Sequence, residues 1–183
     1  MKLHRWIAAG ALALAISGFA AGEASALQAK CLWDNLPPYT RKAMLNAYRQ
    51  QGINALNTVE VTEADMAMLP KACGLDESNS GLASQMIGGY MLEMGASTVM
   101  TEKYGLPDGA LDTAWNGLSD NTRRRMRLYA VQIMAGRKVD DNPISDGVAG
   151  MRDQLKIQDQ DALTQLVAYS LGRALREARE AGQ

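Results

Sequence analysis

Apolar residues recur at helical spacing along most of this chain. Between Asp161 and Ala181, one apolar stripe runs through Leu163, Leu166, Val167, Ser170, Leu171, Ala174, Leu175 and Ala178, and the charged residues lie off it. Only the short segment Asn57–Thr62 has the alternation expected of a strand. The pattern predicts an all-α helical bundle of about six to eight helices.

Helix start and stop signals divide the pattern into separate elements. Pro38 suits a first helical turn, Thr62, Ser119 and Asp159 suit N-caps, and Pro70 shortens or bends the helix around it. The helices expected from these signals are Tyr39–Gln51, Thr62–Ala72, Ser80–Lys103, a short helix between Pro107 and Gly117, Asp120–Lys138, Ile144–Leu155 and Asp159–Ala181. Gly81, Gly88, Gly89 and Gly95 fall inside the third of these, where we expect them to allow close helix approach.

The first 26 residues resemble a secretory signal. Lys2 and Arg5 precede an apolar stretch from Trp6 to Ala21, and Ala24-Ser25-Ala26 supplies small residues for cleavage. We therefore expect residues 1–26 to be removed, with an uncleaved anchor as the alternative. Residues 27–183 then form a single helical domain in the periplasm or outside the cell, with no transmembrane segment.

Two cysteines remain after the expected cleavage, Cys31 and Cys73. Because exported chains fold under oxidising conditions, the pair predicts one disulfide bond.

An internal repeat is suggested by two gapless segments, Trp33–Met44 and Trp115–Met126. They share tryptophan, leucine, threonine, arginine and methionine at an offset of 82 residues. We predict two related helical units, about 27–105 and 106–183, that pack as one bundle.

Few residues of catalytic type are present. The one histidine, His4, lies in the expected signal, and no nucleophile elbow or phosphate-binding loop occurs. Without histidine, we expect no metal site and no cofactor; the methionine pairs Met66/Met68 and Met91/Met94 are expected to fill the core rather than bind copper. After cleavage, 17 basic residues face 19 acidic ones, which is unlike a nucleic-acid-binding protein.

Glu93 is the best single candidate for a catalytic residue. It is the one charged residue between Glu77 and Glu102, and its neighbours are largely apolar. A buried carboxylate is either a functional acid with a raised pKa or a member of a structural ion pair, here with an arginine of the last helix. An exposed glutamate on a narrow polar stripe is the third alternative.

A basic surface is expected where arginines cluster around the two repeated segments. Its residues are Arg41 and Lys42 in the first unit and Arg123, Arg124, Arg125 and Arg127 in the second. They form either a solvated helix face or a surface that binds carboxylate or phosphate.

The leading interpretation is an exported, non-enzymatic, chaperone-like module that binds an envelope protein or an apolar ligand. Methionine-rich apolar helices favour it because they form adaptable binding surfaces. One alternative is a carboxylate-dependent enzyme that acts on envelope glycan through Glu93. A second is a peripheral membrane protein that binds through the arginines. A homodimer is compatible with each.

Overall fold

The structure, a computed structural model, describes residues 27–76, 78–139 and 142–182, so the expected signal lies outside the described residues. This part of the chain contains eight α-helices and no strand, which confirms the predicted all-α bundle. The helices are α1 Ala29–Asn35, α2 Pro38–Gln51, α3 Glu63–Ala67, α4 Ser80–Tyr104, α5 Ala110–Asn116, α6 Asp120–Met134, α7 Pro143–Leu155 and α8 Gln160–Glu180. Two short 3-10 helices, Gly52–Asn57 and Lys71–Cys73, connect α2, α3 and α4.

Local capping explains where several helices begin. Pro38 is the first residue of α2, the Ser119 hydroxyl accepts a hydrogen bond from the Thr122 amide, and the Asp159 carboxylate accepts one from the Ala162 amide. These contacts satisfy amide donors that have no partner within the helix, as the sequence signals predicted.

Three expected elements differ from the structure. The helix that begins after Thr62 ends at Ala67, because Pro70 takes an extended conformation and separates it from the 3-10 helix. Helix α6 ends at Met134 rather than Lys138, close to Gly136, whose φ of +68° is incompatible with a continuing helix. The strand candidate Asn57–Thr62 is not a strand.

Asp65 ties α3 to the start of α2. Its buried carboxylate accepts hydrogen bonds from the Thr40 hydroxyl at 2.8 Å, the Tyr39 hydroxyl at 3.1 Å and the Thr62 hydroxyl at 2.8 Å. Burial alone would raise the pKa of Asp65, but these hydrogen bonds outweigh burial and lower the pKa below its ordinary value.

Helices α4 and α8 form the centre of the bundle. Helices α1 and α2 pack on α4, helices α6 and α7 pack on α8, and α5 packs on α7. Gly89 of α4 and Gly172 of α8 meet where the two long helices cross, so the backbones touch without intervening side chains. Each half therefore contributes one long helix to a shared core, although an origin by duplication stays a prediction.

The predicted disulfide joins Cys31 of α1 to Cys73 of the second 3-10 helix, with 5.4 Å between the Cα atoms. The Gln28 amide also donates to the Cys73 carbonyl at 3.4 Å. Within the described residues, no helix is both long enough and apolar enough to cross a membrane.

Candidate binding groove

An apolar groove of about 400 Å³ opens between the two halves of the bundle. Its lining comes from α2, from the end of the first 3-10 helix and the segment that follows it, from α4, from the end of α6 and from α8. The lining residues are Met44, Leu56, Asn57, Val59, Glu60, Val61, Ser84, Gln85, Gly88, Met91, Met134 and Leu175.

The deepest residues of the groove are Met44, Met91 and Leu175, each at most 2% exposed. Met134, the last residue of α6, is 39% exposed. Three of the lining side chains, Met44, Met91 and Met134, are methionines, whose unbranched thioether chains adapt to ligands of different shape.

A glycine keeps one wall of the groove open. A Cβ atom added at Gly88 would lie 3.1 Å from the Leu56 side chain, so any side chain there would crowd this wall. The groove is thus shaped by a small residue on α4 as well as by the apolar residues that line it.

Few polar groups line the groove. Gln85 accepts a hydrogen bond from Arg179 at 2.9 Å, while Glu60 is exposed and forms no ion pair within the described residues. Predominantly apolar walls with a few polar groups are typical of sites that bind small molecules.

Glu93 lies outside this groove, in a buried ion cluster between α4 and α8. Its carboxylate accepts from Arg173 at 2.6 Å and from Arg176 at 2.7 Å. Arg176 also lies over the Tyr90 ring, 5.6 Å from its centroid. This geometry is the structural ion pair with arginines of the last helix that the sequence left open.

The cluster continues to neighbouring helices through Arg173 and Glu177. Arg173 contacts Glu177 at 2.6 Å and Asp112 at 2.8 Å, and Glu177 accepts from the indole of Trp115 at 3.0 Å. Burial would lower the pKa of Arg173, but Glu93 and Glu177 outweigh burial and raise it. Each charged side chain of this cluster is therefore in contact with an opposite charge.

The predicted basic surface is divided between two helices with different surroundings. On α6, Arg123 pairs with Asp120, Arg125 contacts Asp146 at 3.4 Å, and Arg127 contacts Glu177 at 3.3 Å. Arg124 donates to the Asn121 side chain at 3.3 Å. Internal carboxylates therefore neutralise three of the four arginines on α6.

On α2, Arg41 and Lys42 form no ion pair with any described residue. They line a shallow groove of about 320 Å³ together with Trp33, Pro38, Leu45, Asn46 and Arg49. Positive charge without a carboxylate partner among the described residues is thus found at Arg41 and Lys42 of α2 and at Arg124 of α6.

Comparison with known protein families, curated proteins and solved structures finds no match. Among the described residues, no three histidine, cysteine or acidic side chains are arranged to hold a metal ion.

Proposed function

We propose that this protein is an exported, non-catalytic binding protein that takes a small apolar ligand into the groove lined by Met44, Met91 and Leu175. The groove itself is the observation that carries the proposal. It has the size and the apolar lining of small-molecule sites, which are typically concave and about 300–1,000 Å³ in volume.

The dimensions favour a small ligand over a protein partner. A partner helix would need a long furrow for apolar side chains on successive turns, whereas about 400 Å³ holds a single compact apolar group. The methionines Met44, Met91 and Met134 suit ligands of related but unequal shape.

The disulfide supports export. A bond between Cys31 and Cys73 forms and persists in oxidising compartments such as the periplasm or the exterior of the cell. The ion-paired state of Glu93 supports a non-catalytic role, because a general acid needs access to a substrate.

A fluorescence titration with the neutral apolar dye N-phenyl-1-naphthylamine tests the proposal. Ser84 is exposed and lines the groove, so Ser84→Trp fills it, while Ser145→Trp places the same side chain at an exposed position of α7, outside the groove. We expect the unmodified protein and Ser145→Trp to bind the dye equally, and Ser84→Trp to bind at least about tenfold more weakly, a loss of 1.4 kcal/mol or more.

Two results would contradict the proposal. The first is the absence of dye binding by the folded protein. The second is equal binding by Ser84→Trp, which would place the apolar site elsewhere.

A further inference from the structure

The basic groove on α2, which Arg41, Lys42 and Arg49 line, is separate from the apolar groove. The two grooves have no lining residue in common. Apart from Trp33 of α1, every residue that lines the basic groove belongs to α2. At about 100° per residue, these positions from Pro38 to Arg49 fall within an arc of about 140° around the helix axis. The three basic residues therefore share one face of α2.

Positive charge in the basic groove is only partly compensated. Of the described residues that line it, none is acidic. Arg49 is paired with Glu102 at 2.9 Å, whereas Arg41 and Lys42 have no carboxylate partner within the described residues. Two positive charges in one groove are thus available to an external anion.

The side chain of Arg41 is held against the protein although it lacks a hydrogen-bond acceptor. Its Nε atom is buried, and the described part of the chain provides no acceptor for it. Burial of Nε means that the guanidinium does not extend freely into solvent. An anion that binds the terminal nitrogens of Arg41 therefore meets a partly ordered group, which lowers the entropic cost of binding.

We propose that the basic groove binds the phosphate group of a small organic phosphate monoester. Such a group carries a charge of about −1.5 to −2 at neutral pH and has three acceptor oxygens. This charge is close to the sum of the two uncompensated charges on Arg41 and Lys42. A carboxylate or a sulfate ester carries only one negative charge, and the planar guanidinium of arginine is well suited to phosphate oxygens.

The apolar part of the basic groove favours an ester over free phosphate. Trp33, Pro38 and Leu45 line the groove beside the basic residues, so an organic group attached to the phosphate has apolar side chains to contact. A free phosphate ion would use the charges alone. Because the groove is shallow and Lys42 is exposed, binding is weak and sensitive to ionic strength.

The test is a titration followed by two-dimensional NMR of the protein amides at constant ionic strength. The protein is purified from cells that express it, so that any processing of its N-terminus has taken place. Phenyl phosphate is compared with phenyl sulfate, which has the same shape and one charge fewer, and with inorganic phosphate, which lacks the ring. We expect the amides of α2 to shift, and phenyl phosphate to bind about three- to fivefold more tightly than either comparison compound.

Two single variants show whether binding depends on the basic groove. Arg41→Gln and Arg124→Gln each remove an arginine that has no carboxylate partner among the described residues, but Arg124 does not line the groove. We expect Arg41→Gln to raise the dissociation constant of phenyl phosphate about three- to fivefold, and Arg124→Gln to change it less than about twofold. Lys42→Gln should have the effect of Arg41→Gln without disturbing any packing, because Lys42 is exposed.

Three results would overturn the proposal. Equal binding of phenyl sulfate would remove the preference for a doubly charged group, and equal binding of inorganic phosphate would assign the groove to the free ion. Equal losses in Arg124→Gln and Lys42→Gln would show a general attraction to positive charge. Ser84→Trp should bind phenyl phosphate normally, so this proposal and that for the apolar groove succeed or fail separately.

Discussion

Two arginine side chains hold the carboxylate of Glu93 inside the helix bundle. All three groups are largely removed from water, with side-chain exposures of 8% for Glu93, 18% for Arg173 and 12% for Arg176. The attraction between them offsets a desolvation cost that each has already incurred on folding. Replacement of one of these charged residues should therefore lower the free energy of unfolding by more than the whole ion pair contributes to it, because the remaining charge stays buried without a partner.

We predict that Glu93→Ala destabilises the protein by about 3 kcal/mol. The variant leaves Arg173 and Arg176 partly buried without their shared counterion. This loss is near the lower end of the range of about 3–5 kcal/mol for broken buried ion pairs, because Arg173 keeps its contact with Glu177 and Arg176 keeps its contact with Glu180. Urea unfolding followed by circular dichroism measures the change in the free energy of unfolding.

Glu102→Ala is the matched control for Glu93→Ala. It removes a glutamate from the same helix whose partner, Arg49, is 46% exposed, while Glu102 is itself 60% exposed. Exposed pairs contribute about 0–1 kcal/mol, so this variant should remain close to the unmodified protein. Similar losses in the two variants would show that Glu93 is not held as described.

At the scale of elements, the crossing of α4 and α8 depends on two glycines. A Cβ atom at Gly89 would lie 2.9 Å from the Gly172 carbonyl oxygen, and one at Gly172 would lie 2.5 Å from the Gly89 carbonyl oxygen. Backbone atoms of packed helices cannot rotate away as a flexible side chain can. A methyl group at either position must therefore push the helices apart.

We expect Gly89→Ala to lower the free energy of unfolding by about 2 kcal/mol, because overpacking outweighs the helix propensity gained. Gly81→Ala is the control on the same helix, where no atom lies within 4 Å of the added Cβ. Because Gly81 is the second residue of α4, the gain in helix propensity is smaller than in a helix interior, and this variant should stay within about 0.5 kcal/mol of the unmodified protein. Thermal and urea unfolding measure both changes, and a neutral Gly89→Ala would mean that the helices are farther apart than described.

Helix positions could be predicted from sequence where the determining contacts are local. Pro38, Ser119 and Asp159 each act within one helical turn, and the helices that follow them begin where expected. The close approach expected of the α4 glycines holds at Gly88, Gly89 and Gly95. It fails at Gly81, which faces open space, because spacing along a helix does not reveal which side the partner occupies.

The candidate site could not be predicted in the same way. The apolar groove combines residues as distant in sequence as Met44, Met91 and Leu175, and each one alone has the pattern of a core residue. The partners of Glu93 are 80 and 83 residues away, so the sequence posed the alternatives of acid and ion pair without deciding between them. Local sequence also did not indicate that carboxylates pair with Arg123, Arg125 and Arg127 on α6 but not with Arg41 and Lys42 on α2.

At the scale of the whole molecule, the two halves are held together differently. The second half packs α6 and α7 directly on α8, whereas the first half contains the short helix α3 and two 3-10 helices between α2 and α4. Few helical hydrogen bonds stabilise that connection, and the Cys31–Cys73 disulfide encloses it. The covalent link is thus placed where the bundle has the least regular structure.

Replacement of both cysteines by alanine should therefore lower the free energy of unfolding of the protein, although the bond itself lies within the first half. The bond spans a sequence separation of 42 residues, for which loop-closure entropy gives about 4 kcal/mol. We expect urea unfolding of the double variant to show a loss of this size. Reductant should bring the unmodified protein to nearly the same value and leave the variant unchanged.

Hydrogen exchange locates where that stability is lost. If the disulfide pins the first half onto an intact core, amides of α1 should lose protection in the double variant through local opening, while amides at the centre of α4 and α8 should still exchange only by global unfolding. Uniform loss of protection in all helices would instead show that the two halves unfold as one cooperative unit.

The distinction has a functional consequence, because Val59 and Val61 on the wall of the apolar groove belong to the segment that the disulfide encloses. Local opening should therefore weaken dye binding in the double variant even under conditions in which α4 and α8 remain fully folded.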